Sequence, residues 1–209
     1  MFITFEGIEG CGKSTQAKRL ALRLDDLGVP LVLTHEPGGT SVGEGIRRIL
    51  LDSRNRHLSA LAELLLYGAD RAQHVTEVIK PALEQGKWVL CDRFYDATTV
   101  YQGYARGLDM AFVLSMNQKA SQGLRPHRTI LIDCPVEVGL GRALARNERL
   151  LQDEQDRFER EKREFHEAVR KGYLDMAEKE KGRFVVVNGT TGEDELEGII
   201  FDQLKPMIP

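Results

Sequence analysis

The chain opens on Phe2-Ile3-Thr4-Phe5 and runs at once into Gly7-Ile8-Glu9-Gly10-Cys11-Gly12-Lys13-Ser14-Thr15. No other stretch constrains the fold as tightly. A short apolar run, glycines at this spacing, Lys-Ser and then an amphipathic segment predict strand, loop and helix in that order. Glycine admits positive φ and close approach of the main chain. The loop N–H groups then line an anion-binding nest at the positive end of a helix. Lys13 supplies a charge within reach of the β and γ oxygens of a nucleoside triphosphate, and the Ser14 hydroxyl is placed to ligate Mg²⁺. Glu9 sets an acid beside this anion, so it needs a compensating contact with an acceptor sugar or a lid arginine, unless it points out to solvent. Cys11 precedes the helix, where a thiol is acidified, or it simply fills a tight loop.

Four more apolar runs follow, each after a breaker. Leu31-Val32-Leu33-Thr34 comes after Gly28-Val29-Pro30, and Trp88-Val89-Leu90-Cys91 after Gln85-Gly86. Thr129-Ile130-Leu131-Ile132 comes after Arg125-Pro126, and Phe184-Val185-Val186-Val187 after Gly182. None alternates polar with apolar, which suits a parallel sheet covered on both faces. Helix-length segments lie between them. Residues 13–27 carry Ala17, Leu20, Leu24 and Leu27 on one stripe. Residues 59–72 are apolar nearly all round, which predicts a helix either central to the fold or in a subunit interface. Strand and helix in alternation give a doubly wound α/β fold, a five-stranded parallel sheet with helices on both faces, as one domain over residues 1–209. Residues 142–171 differ: 17 of 30 are charged, nine basic and eight acidic. Phe158, Phe165 and Val169 give the second half a helical stripe, whereas residues 142–155 have none and form a candidate lid.

Charge and composition exclude several classes. With 29 basic and 32 acidic residues the net charge is −3, which argues against a nucleic-acid surface. No run approaches the ~18 apolar residues of a membrane span, and no signal pattern opens the chain, so a cytoplasmic protein is expected. Cys11, Cys91 and Cys134 are scattered without a CxxC pair, which suggests neither zinc nor a disulfide framework.

The nucleotide's use is read from the segments after the strands. Glu36-Pro37-Gly38-Gly39-Thr40 follows the second run. Asp92-Arg93-Phe94 follows the third, with Thr98, Tyr101-Gln102-Gly103 and Arg106-Gly107 beyond, and Tyr67 and Arg71 lie on the apolar helix. Open α/β sheets bind ligands along this edge. Arginines clamp phosphate in a bidentate fork, an amide reads a base edge, and a ring stacks on it. Surface ion pairs for Arg47 and Arg71, core packing for Tyr67 and a local strand-end pair for Asp92-Arg93 are the bland alternatives.

Taken together, GIEGCGKST, EPGGT, YGADR, CDRFYDATTVYQGYARG and the late DRFE resemble the thymidylate kinase family over nearly the whole chain. The resemblance implies ATP-dependent conversion of dTMP to dTDP by a homodimer with a nucleoside monophosphate kinase fold. It implies that Asp92 serves the Mg²⁺ site through water and that Arg93 holds the acceptor phosphate, with Arg47 and Glu36 beside it. Tyr67 would stack on thymine, Arg71 and Gln102 would bond its edge, and Thr98 and Tyr101 would shape the pocket against a ribose 2′-hydroxyl. The loop itself offers no basic residue at positions 8–11, so the arginine for the transferred phosphate is expected from the lid. Arg142, Arg146, Arg149 and Arg157 are the candidates, Arg146 and Arg149 favoured. Two departures from the family pattern stand out: His35 where arginine is common before EPGG, and Ala97-Thr98 where two hydroxyl residues are common. A kinase for another acceptor, or a nucleotide-dependent switch, remains the alternative.

Overall fold

The structure, a computed structural model, describes residues 1–150 and 157–208, and the side chains at 149 and 150 fall outside that description. Five strands pair in parallel: β1 (Phe2–Glu6), β2 (Leu31–His35), β3 (Trp88–Asp92), β4 (Arg128–Asp133) and β5 (Phe184–Asn188), in the order β2-β3-β1-β4-β5. The register aligns Phe5 with Asp92, His35 with Asp92 and Glu6 with Leu131. Each strand thus ends its apolar run in a polar residue at one common edge.

Alternation within the strands loads both faces. Ile3, Phe5 and Leu90 pack with Leu20 and Leu24 of α1 (Lys13–Asp26) in one cluster. Phe2, Val89 and Cys91 pack with Val75, Ile79 and Phe94 in another. Leu27 departs from the expected stripe. It is 56% exposed, because Gly28 at φ +75° turns the chain and returns Val29 N–H to Leu24 O.

Between β2 and β3 lie α2 (Ser41–Leu51), α3 (Ala60–His74), a π-helical segment Val75–Ile79 and α4 (Lys80–Glu84). Thr40 caps α2 and Ser59 caps α3 by accepting from the third N–H onward. After β3 come α5 (Tyr95–Thr98), a second π-helical segment Thr99–Ala105 and α6 (Met110–Ala120). Then follow α7 (Val136–Leu150), α8 (Arg163–Lys179) and α9 (Glu193–Leu204).

Three expectations about these helices change. Helix α3 is inverted: Glu63, Asp70, Arg71 and His74 are buried, while Leu61 and Leu65 are about half exposed. Phe158 is not on α8 with Phe165 and Val169; it sits in the turn before that helix, its ring edge-on to Tyr101. Helix α7 does own a buried stripe, but its members are Val136, Ala143 and Asn147, too small or polar to register as one. No helix among the described residues is long and apolar enough to cross a membrane.

Candidate active site

A cleft of about 520 Å³ runs along the carboxyl edge of β1, β2 and β3, within the size range of small-molecule sites. The glycine loop forms one wall. Gly7 and Gly10 both have positive φ, and a Cβ on Gly10 would meet Gly139 O at 2.0 Å, so the loop is pressed against the start of α7. The N–H groups of Gly10 and Gly12 make no hydrogen bond among the described residues and are free for an anion. Lys13 Nζ folds back to donate to Ile8 O at 2.7 Å, with Cys11 Sγ 3.6 Å away. Ser14 Oγ donates to Asp92 Oδ2, bringing two hard oxygen donors together where α1 begins. Thr15 follows in the first turn and is half-buried. Cys11 is a buried free thiol, as are Cys91 and Cys134.

Arg71 organises the opposite wall. It is 1% exposed, and three of its five N–H groups are engaged: Nε donates to Glu36 Oε2 at 2.9 Å, Nη1 to Asn117 Oδ1 at 3.0 Å and Nη2 to Thr98 Oγ1 at 2.9 Å. The other Glu36 oxygen lies 2.9 Å from His74 Nδ1, and His74 Nε2 is 2.7 Å from Thr34 Oγ1. Arg71 and Glu36 are therefore a buried pair, not surface partners. Arg47 donates to Pro37 O at 2.8 Å and faces the cleft beside His35. Burial and the Arg47 guanidinium push the His35 imidazole down, so this position adds no standing charge. Tyr67 and Gln102 both line the cleft. Gln102 Nε2 is spent on Glu63 Oε1 at 2.7 Å, which leaves its carbonyl oxygen, buried and unpartnered, as the atom open to a ligand.

Glu9 does not point to solvent, and its arginine comes from the end of β3 rather than from the lid. Its Oε1 accepts from Arg93 Nη2 at 3.0 Å and from Tyr101 OH at 2.5 Å. Burial opposes ionisation there, but His166, Arg93, Lys13 and Tyr101 together hold the carboxyl well below the usual carboxylate range. Arg93 itself has φ +70°, a strained conformation for a side-chain-bearing residue. Glu6 stabilises it by accepting from the next N–H, Phe94, at 2.8 Å, and Tyr173 OH donates to the other Glu6 oxygen at 2.7 Å. Arg93 Nη1 donates to Gly7 O at 3.1 Å. Among the described residues, no hydrogen bond is found from its Nε–H or from a second Nη2–H.

Burial and then the nearby Asp96 carboxylate push Glu6 up to about 7 from its ordinary 4.5, against the pull of Arg93 and the bonds from Tyr173 and Phe94. Between those values the folded chain keeps a proton that the unfolded chain has released. Glu6 therefore subtracts stability progressively as pH rises through that window and no further above it. Glu6→Gln removes the titration. Its Tm relative to the unsubstituted protein is expected to climb by several degrees between about pH 5 and about pH 8, for a shift on the order of a few kcal/mol. Thermal melts across that range check it, and a difference that stays flat with pH overturns it.

The four lid arginines separate. Arg146 lines the cleft, half exposed, its Nη2 3.4 Å from Glu159 Oε1. The side chain of Arg149 lies outside the described residues. Arg157 is not a cleft residue: it is buried with Nη1 2.7 Å from Glu63 Oε2 and with Nε donating to Leu50 O. The Glu63 carboxylate, 1% exposed on the leucine-rich α3, needs such a partner, and Arg157 with Arg106 supplies it. Arg142 donates to Gly189 O at 2.8 Å, past the end of β5, and also lies outside the cleft lining. Sequence reading missed Glu6, Glu63, His74, Asn117 and His166.

Known proteins fit this geometry. A family model described as thymidylate kinase matches residues 5–200. A thymidylate kinase from Geotalea daltonii is 58% identical over 195 residues, covering 93% of this chain and 91% of its own. One from Geobacter sulfurreducens is 50% identical over 208 residues, covering 100% and 98%. The crystal structure of a thymidylate kinase from Ehrlichia chaffeensis superposes with a TM-score of 0.78 at 34% identity, covering 98% of each chain. With the glycine cradle, the buried arginine wall and this likeness over nearly its full length, the chain belongs to the thymidylate kinase family.

Proposed function

We infer that the protein transfers the γ-phosphoryl group of ATP to dTMP, giving ADP and dTDP. The observation that carries this reading is one cleft with two anion seats. Lys13 and the open loop N–H groups form the first, and Arg93 with its open N–H groups forms the second. Beyond Arg93 a recess lined by Tyr67, Arg71, Thr98 and Gln102 has the donors and the ring that a pyrimidine needs.

In this reading an oxygen of the dTMP phosphate attacks the γ-phosphorus in line as the bond to ADP breaks. The protein's task is placement and charge compensation. Lys13 exchanges Ile8 O for the β and γ oxygens. Arg93 and Arg47 orient the acceptor phosphate, with Glu36 holding Arg71 rather than touching it. Arg146 and Arg149, from a lid over residues 142–157, compensate the moving phosphoryl group. Residues 151–156 of that lid lie outside the described residues. Tyr101, wedged between Phe158 and Phe165 and bonded to Glu9, closes the space a ribose 2′-hydroxyl would need. Ser14 and Asp92 fit a Mg²⁺ that keeps most of its waters, since one hydroxyl and one carboxylate are the donors such a site requires. When bound there, such an ion would supply positive charge against the triphosphate oxygens. A homodimer is supported by the leucines that α3 leaves outward, Leu61 and Leu65, beside exposed Phe112 and Leu114 of α6. Soluble nucleotide substrates support a cytoplasmic location.

Initial rates across dTMP, dUMP, dCMP and dGMP test the reading. kcat/KM for dTMP is expected to exceed that for dCMP and dGMP by about 10²-fold or more, because the wrong edge leaves buried polar groups unpaired. A preference for dCMP or dGMP rejects it.

A further inference from the structure

Glu9 is gripped from three directions, and the phosphate-loop motif accounts for only part of that grip. Its Oε1 is taken by Arg93 and Tyr101, while Oε2 has no partner within hydrogen-bonding geometry. His166, fully buried on α8, sets Nδ1 3.3 Å from that open oxygen, and neither of its ring nitrogens has another partner. Its neighbour Phe165 packs against Tyr101, ring centres 6.0 Å apart. Two successive residues of α8 thus touch Glu9 and one of the groups that hold it.

We propose that His166 is a positioning residue for phosphoryl transfer: its Nδ1–H fixes Glu9 Oε2, so that Oε1 holds Arg93 with its open N–H groups turned into the cleft. The proposal rests on the kinase reading above. The proton belongs on Nδ1 for a physical reason. The other neutral tautomer would bury an unpaired N–H at Nε2 and set two lone pairs against each other at Glu9. With the proton on Nδ1, only an acceptor lone pair is left unused.

His166→Leu keeps the volume and removes the donor, whereas His166→Asn keeps an N–H near the Nδ1 position. His166→Leu is expected to lower kcat/KM for dTMP by about tenfold to a hundredfold, through both a higher KM for dTMP and a lower kcat, with KM for ATP moved less than about twofold. His166→Asn is expected to recover most of that loss. A leucine variant with unchanged kinetics, or an asparagine variant no better than leucine, overturns the proposal. A second measurement does not depend on either variant folding. Histidine-selective ¹⁵N spectra of the unsubstituted protein should find Nδ1 of His166 protonated, and a proton on Nε2 alone overturns the proposal. The unsubstituted protein, assayed alongside with ATP and dTMP, separates the two failures. No turnover there sinks the kinase reading, whereas turnover indifferent to His166→Leu sinks only the positioning role.

Discussion

Lys13→Ala is expected to lower kcat by about 10³-fold or more while dTMP binds within about threefold of normal. The asymmetry follows from where the ammonium sits. Nζ rests on Ile8 O and beside Cys11 Sγ, and it makes no salt bridge to a carboxylate among the described residues. Its removal takes one of four stabilising groups from the buried Glu9 carboxylate, which keeps Arg93, Tyr101 and His166, and it breaks no bond in the Arg93 or Arg71 wall. What it does remove is a positive charge that gains strength only as negative charge builds on the oxygens between β and γ phosphorus. Lys13→Arg is not expected to rescue turnover. A planar fork replaces a compact point charge in a loop where Gly10 already abuts Gly139 O. Single-turnover rates with a parallel calorimetric titration of dTMP decide the matter. Turnover within about tenfold of the unsubstituted protein would falsify the assignment of the cradle.

The sheet was legible because its signals are local. Each strand is a short apolar run bounded by glycine or proline, and each boundary found in the structure lies within a residue or so of the run. The phosphate loop and the Asp92-Arg93 corner were legible for the same reason, since consecutive residues do the chemistry. The acceptor wall was legible as a list and not as an arrangement. Arg71 reaches Glu36, Thr98 and Asn117 across separations of 35, 27 and 46 residues, which no local pattern encodes. One signal was available and went unread. Glu63, Tyr67, Asp70, Arg71 and His74 recur at helical spacing within an otherwise apolar segment, so a polar stripe faces inward while Leu61 and Leu65 face out. Arg157 misled for the converse reason. In a run this densely charged, nothing local distinguishes the one guanidinium that plugs a buried carboxylate from its solvated neighbours.

The same inverted stripe makes Arg71 the most consequential single side chain in the acceptor half. Arg71→Met keeps much of the aliphatic bulk and deletes the fork, leaving the Glu36 carboxylate, itself 2% exposed, with His74 alone. Breaking a buried pair from one side costs roughly 3–5 kcal/mol. In a chain of this size that is a fall in Tm of about 6–20 °C. Binding of dTMP should be lost as well, because Thr98 and Asn117 lose the group that orders them and the base loses its guanidinium. Stability and recognition can be separated with Glu36→Gln added to Arg71→Met, since the neutral amide no longer needs a cation. The double variant is expected to regain a good part of the lost Tm, a coupling of about 1 kcal/mol or more, without regaining turnover of dTMP. If the double variant melts no higher than Arg71→Met, the buried charge is not what Arg71 neutralises. If it recovers dTMP turnover together with Tm, Arg71 holds up the wall without reading the base.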